Sequence, residues 1–85
     1  MTDFKELDDE KYMRRAIELA AQGERLGEVP VGAVIVCDDE IIGEGFNQPI
    51  SSHDPTAHAE VVALRQAAEY IQNYRLVNST LYVTL

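Results

Sequence analysis

The run Val31-Gly32-Ala33-Val34-Ile35-Val36-Cys37 constrains the fold of this chain more than any other segment. It is β-branched and almost continuously apolar, the pattern of a strand covered on both faces. A polar turn follows at Asp38-Asp39-Glu40, and residues 41–46 run back as a second strand. The pair reads as a β-hairpin. A strand buried on both sides needs a layer on each side, so the rest of the chain is expected to supply helices. Gly32, Gly43 and Gly45 fall inside the two strands. Glycine there marks a bulge or a close approach of another backbone.

Residues 9–26 read as the first helix. Asp8 or Asp9 can cap its free N–H groups. Met13, Ala16, Ile17 and Ala20 follow the i, i+3, i+4, i+7 rule for a buried stripe, and Gly23 and Gly27 offer places to end. After the hairpin, residues 47–55 form a loop that holds Pro49 and Pro55. Asp54-Pro55-Thr56 reads as a helix start, with proline near the first turn and Asp or Thr as cap. The second helix is expected over residues 57–70, with Val61, Leu64, Ala68 and Ile71 as its buried stripe. Residues 73–79 then lead to a third strand over 81–85. The order helix, hairpin, helix, strand makes a layered α/β domain. There is no internal repeat, low-complexity segment or interdomain linker.

The totals agree with this picture. The chain has 85 residues, enough for one domain at most. The hydrophobic share of 46% with 26% charged is that of a globular protein. The single cysteine, Cys37, excludes an intramolecular disulfide and suits a reducing compartment. No basic-then-apolar leader opens the chain, and the apolar runs fall far short of the roughly 18 residues of a membrane span. A cytoplasmic location is the expectation. Fifteen acidic residues stand against seven Lys and Arg. Asp3, Glu6, Asp8, Asp9 and Glu10 read as a solvated, helix-initiating segment. A nucleic-acid binder should show a basic patch, and these 85 residues show none.

The chemistry sits in His58-Ala59-Glu60 at the start of the second helix. Zinc accepts imidazole nitrogen and thiolate sulfur, and a catalytic zinc takes three protein ligands and keeps a fourth position for water. The metal makes hydroxide available near neutral pH. A carboxylate that is not a ligand can carry the protons that hydrolytic deamination has to move. His58 is the candidate ligand and Glu60 the candidate proton carrier. Residues i and i+2 of a regular helix do not share a face, so the pair works only with His58 in the first turn. The Asp54-Pro55-Thr56 signal puts it there. The tripeptide alone reads more readily as a surface histidine near a cap with an ordinary first-turn glutamate; its context decides otherwise.

That context is Pro30-Val31-Gly32-Ala33-Val34, Gly43-Glu44-Gly45-Phe46-Asn47, His53-Asp54-Pro55-Thr56-Ala57-His58-Ala59-Glu60, Ala63-Leu64-Arg65, Asn73-Tyr74-Arg75-Leu76 and Leu81-Tyr82-Val83-Thr84-Leu85. Together these blocks closely resemble the N-terminal half of the bacterial tRNA-specific adenosine deaminases, in the cytidine deaminase superfamily. The resemblance runs from about Tyr12 to the last residue. It implies a three-layer α/β/α fold, of which the helix–hairpin–helix–strand here is the N-terminal part of a single deaminase domain. It also implies the family's established signature, H-x-E followed by P-C-x-x-C, and its zinc-dependent mechanism; neither comes from these residues themselves. On that basis His58 is a zinc ligand and Glu60 the proton shuttle. Asn47 bonds the target nucleoside, and the Ala59 N–H faces the polar edge of the base. The implied activity is conversion of adenosine to inosine at the wobble position of a tRNA anticodon arm, by a homodimer and away from any membrane.

The two cysteine ligands of the signature are not among these residues. Cys37, at the end of an apolar strand, reads as a small buried residue, and His53 as a loop residue facing solvent or RNA. The chain by itself is therefore expected to be inactive and to hold zinc weakly or not at all. A third strand ending in Leu-Tyr-Val-Thr-Leu would leave an uncovered edge, which favours a fragment of a larger domain. A free-base, guanine-type deaminase and a non-catalytic truncated remnant are the alternatives. Arg65 and Arg75 can touch phosphate, and Tyr70, Tyr74 and Tyr82 can stack on bases. Solvated and packing roles account for them equally well.

Overall fold

The apolar run forms the central strand of a three-stranded sheet, and a helix lies on each side of it. The computed structural model describes residues 4–84, with side chains from residue 7 onward. Asp3, the side chains of Lys5 and Glu6, and Leu85 of the expected third strand lie outside the described residues. The elements are α1 (Phe4–Arg25), β1 (Gly32–Cys37), β2 (Glu40–Phe46), α2 (Ala59–Ile71) and β3 (Ser79–Val83). The sheet order is β2-β1-β3, and β1 pairs antiparallel with both neighbours. The expected α/β/α layering is observed. No helix among the described residues is long and apolar enough to cross a membrane.

β1 is buried from Gly32 to Val36, as its composition requires. Its residues serve the two layers alternately, since neighbouring side chains in a strand point to opposite faces. Val34 and Val36 join Tyr12, Ala16 and Leu19 of α1. Ala33 and Ile35 join Ile42 and the alanines Ala59, Ala63 and Ala67 of α2. The hairpin turns through Asp38 and Asp39, both left-handed with φ of 50° and 61°. Aspartate tolerates that region better than most residues, and two consecutive left-handed residues match the twist of a tight hairpin.

The strand glycines do what their positions suggest. The register slips between Ile35 and Val36, so Ile42 beside Gly43 is the extra residue of a bulge. A Cβ on Gly43 would stand 2.3 Å from the Ala63 carbonyl oxygen, and one on Gly45 2.5 Å from that of Ala59. On the other face, a Cβ on Gly32 would stand 1.9 Å from the Ala16 carbonyl oxygen. Both helices therefore touch sheet backbone directly.

Several expectations need correction. α1 begins at Phe4, so Asp8 and Asp9 lie inside it rather than at its cap. Acids are favourable throughout the first turns of a helix, so their presence does not mark the cap itself. Gly23 stays within α1, and Gly27 turns the chain with φ of 81°. Ile17 is 56% exposed, while Tyr12 and Leu19 are buried. In α2 the buried stripe is Ala59, Ala63 and Ala67, and Leu64 and Ile71 face outward. The glycines of β2 leave room only for methyl groups at that contact. α2 starts at Ala59 rather than 57, and β3 spans Ser79–Val83.

Candidate active site

The candidate residues collect at one end of the sheet, where β2 ends, β1 begins and α2 starts. The segment before β1 holds the first of them: the Asn47 N–H donates to the Val31 carbonyl at 3.1 Å. The neck of the loop between β2 and α2 is closed by Gln48, whose N–H donates to the Ala57 carbonyl at 2.8 Å. On the β3 side, the Thr84 N–H donates to the Gly32 carbonyl at 3.0 Å, and the Gly32 N–H donates to Thr84 Oγ1 at 2.9 Å.

His58 is the N-cap residue of α2. Its backbone is extended, with φ of −77° and ψ of 153°, and its side chain makes no capping bond. Its carbonyl accepts the first helical bond, from the Val62 N–H at 2.9 Å. The imidazole is left exposed, and Glu60 is half-buried in the first turn. The condition that a His-x-Glu pair places on a helix, with histidine at its very start, is met.

The cap comes from a different place than the Asp54-Pro55-Thr56 signal suggests. Asn47 Oδ1 accepts the Ala59 N–H at 2.8 Å, with Asn47 itself buried. A side-chain oxygen on a free N–H of a helix's first turn is the usual capping bond, here supplied from the end of a strand. Asp54 instead closes a local turn. Its Oδ1 accepts the Thr56 hydroxyl at 2.7 Å and the Thr56 N–H at 2.9 Å. Those two bonds, the hydroxyl first, together with Arg65 at 3.7 Å, hold the Asp54 carboxyl below its ordinary range. The Ala59 N–H, expected to face a base, has the Asn47 oxygen as its partner. The Asn47 amide nitrogen donates to no partner among the described residues.

One residue was not legible at all. Glu28 is buried, and its two carboxylate oxygens accept successive N–H groups of the loop, Ile50 at 3.3 Å and Ser51 at 2.6 Å. Burial pushes its carboxyl up, but the bonds from Ser51 and Ile50 outweigh that and hold it below the ordinary value. Its partners lie 22 and 23 residues away, and no local pattern signals a contact of that range.

A catalytic zinc needs three protein ligands. His58 offers one. Cys37 is at the hairpin end of β1, five residues from Gly32 and so on the order of 16 Å along the strand from the site. Its sulfur lies 3.9 Å from both Asp38 Oδ2 and the Val77 carbonyl. His53 is exposed in the loop, with φ of 53°. Among the described residues no three His, Cys, Asp or Glu side chains stand together in a way that would hold a metal ion. The donor set does not make a zinc centre by itself; it fits one ligand position of such a centre.

Residues 6–85 match the family model described as the cytidine and deoxycytidylate deaminase zinc-binding region. A tRNA-specific adenosine deaminase of Haemophilus influenzae is 67% identical over 78 residues, covering 91% of this chain and 45% of that protein. The solved structure of a tRNA:A34 deaminase, described as editing A to I at the wobble position, superposes with a TM-score of 0.84. It is 38% identical and covers 87% of this chain and 57% of that one. The solved guanine deaminase of Bacillus subtilis gives a TM-score of 0.83 at 47% identity, covering 87% of this chain and 48% of that one. The chain spans about half the length of the curated relatives it matches.

Proposed function

Because the chain belongs to the cytidine and deoxycytidylate deaminase zinc-binding family, we propose that it is the N-terminal part of a deaminase domain that converts adenosine to inosine at the tRNA wobble position. In this reading His58 is one ligand of a zinc ion whose other ligands lie outside these 85 residues. Glu60, half-buried in the first turn of α2, carries protons to and from the base. Asn47 orients the nucleoside with its amide nitrogen, while its oxygen fixes the start of α2. The protein works as a homodimer on the anticodon arm, in the cytoplasm.

The observation that supports this reading most is the bond from the Ala59 N–H to Asn47. It ties the end of β2 to the start of α2, so the three side chains of the proposed site share one rigid corner. Residues within a site need such support to stay in productive geometry.

The test is a chimera of residues 1–85 with the C-terminal half of the Haemophilus influenzae relative, which is 67% identical over the shared region. Inosine should form in an anticodon stem-loop, and Glu60→Gln should abolish it while leaving the bound zinc in place. A second reading, a free-base deaminase, is favoured by the superposition on the guanine deaminase. Turnover of guanine with no inosine in the stem-loop would replace the first reading by the second.

A further inference from the structure

We propose that Glu28 is a positioning residue for the candidate active site, one whose carboxylate clamps the loop that delivers Asn47 to the start of α2. This inference rests on the reading of Asn47 and α2 as a substrate site.

The loop over residues 48–53 has little else to hold it. Ile50 at its tip is 68% exposed, and Ser51, Ser52 and His53 are exposed as well. Its other bonds stay within the loop or close its neck: the Ser52 hydroxyl and N–H both donate to the Gln48 carbonyl, the Asp54 N–H donates to the Pro49 carbonyl, and the Gln48 N–H donates to the Ala57 carbonyl. Glu28 is what ties the tip to the body. Its own N–H donates to the Gly23 carbonyl at the end of α1, at 3.1 Å. Three residues later, Val31 holds the Asn47 N–H. The segment 28–31 thus grips the chain at two points, at Asn47 and beyond it at residues 50 and 51. A charged group is almost never buried unless it is paired or hydrogen-bonded. Here both oxygens are satisfied by two adjacent amides, which makes the carboxylate a fixed post rather than a mobile side chain.

The two-oxygen arrangement provides a specific test. Glutamine has the size of glutamate but only one acceptor oxygen; its amide nitrogen would oppose an N–H group. Packing alone would be rescued by Glu28→Gln, whereas clamping would not. In the full chain, hydrogen exchange is read at Ile50, Ser51 and Ala59. Both Glu28→Gln and Glu28→Ala should speed exchange at Ile50 and Ser51 by roughly tenfold or more, the scale of a lost hydrogen bond to a charged group. The Ala59 amide, held by Asn47, should also exchange several-fold faster, and amides of β1 should not change. In the chimera described above, kcat/KM should fall about equally in the two variants. Unchanged exchange at Ala59, or restoration by glutamine, would overturn the proposal. If Glu28→Ala does not fold, the isosteric Glu28→Gln carries the test. Loss of Ala59 protection in a protein that deaminates nothing would uphold the clamp and sink the functional reading instead.

Discussion

The two helices meet the same sheet in different ways. α2 lies along β2 with alanine against glycine, and the carbonyls of Ala59 and Ala63 stand where side chains of the strand would otherwise be. Among the strand glycines, α1 comes that close at Gly32, beneath Ala16 and Ala20. Elsewhere it rests on large side chains: Tyr12 and Leu19 are buried, and the Tyr12 ring lies 5.3 Å from that of Tyr82. Polar links then trim its position. Tyr12 donates to the Asp39 carbonyl at 3.1 Å, Tyr82 to Asp9 at 2.5 Å, and Arg15 forms a forked pair with Glu44 at 2.6 and 3.0 Å. Backbone contact leaves no slack, whereas long side chains can change rotamer. The helix that carries the candidate chemistry has the contact with less freedom.

The largest expected effect tests that contrast directly. Gly45→Val should cost about 3 kcal/mol or more, because its Cβ alone overlaps the Ala59 carbonyl and no flexible group can yield. Urea denaturation of the chain would show it, and activity in the chimera should vanish with it. A denaturation midpoint equal to that of the parent would mean that α2 can shift as readily as α1. Gly32→Ala should be at least as costly, since a Cβ there would stand 1.9 Å from the Ala16 carbonyl oxygen.

The next effect separates the two ends of one side chain. Asn47→Ala should lower stability by about 1–2 kcal/mol through loss of the cap. Asn47→Asp should keep the cap, since a carboxylate oxygen accepts the Ala59 N–H and suits a helix N-terminus. Both variants should lose activity, because neither offers an amide N–H to a base. Full turnover by Asn47→Asp would remove the nitrogen from the mechanism.

The side-chain links of α1 should have smaller effects, and that of Tyr82 should depend on pH. Tyr82→Phe should cost about 1 kcal/mol, the net value of one hydrogen bond. The bond to Asp9, helped by burial, pushes the Tyr82 phenol up to about 12. A raised folded value means that the neutral phenol is the stabilised form. Its contribution is complete below the ordinary value of 10.0 and is lost as pH rises through about 12. Ultraviolet titration should show a tyrosine ionising near pH 12 in the parent that is missing in Tyr82→Phe. Smallest of all, Glu44→Gln should change stability by less than about 1 kcal/mol, since the pair is partly exposed and screened by salt. A double-mutant cycle with Arg15→Ala would measure it.

Much of this molecule is legible in local sequence. The β-branched run, the Asp38-Asp39 turn and the strand glycines read correctly because strand burial, turn geometry and close approach leave marks within a few residues. His58 at the start of a helix reads correctly for the same reason, and so does its membership of a recognisable block. The stripe of α2 does not read correctly. A ranking by hydrophobicity selects Leu64 and Ile71, but the partner surface is glycine, and only alanine fits against it.

What the sequence by itself determined is the order of elements, the two-faced burial of β1 and the identity of the deaminase block, all properties of neighbouring residues. What only the tertiary structure decided is which side chains hold that block in place. Asn47 caps α2 from 12 residues away, and Glu28 reaches the loop from 22. Each bond joins groups that come together only after the sheet and its helices have packed, so no spacing along the chain records it.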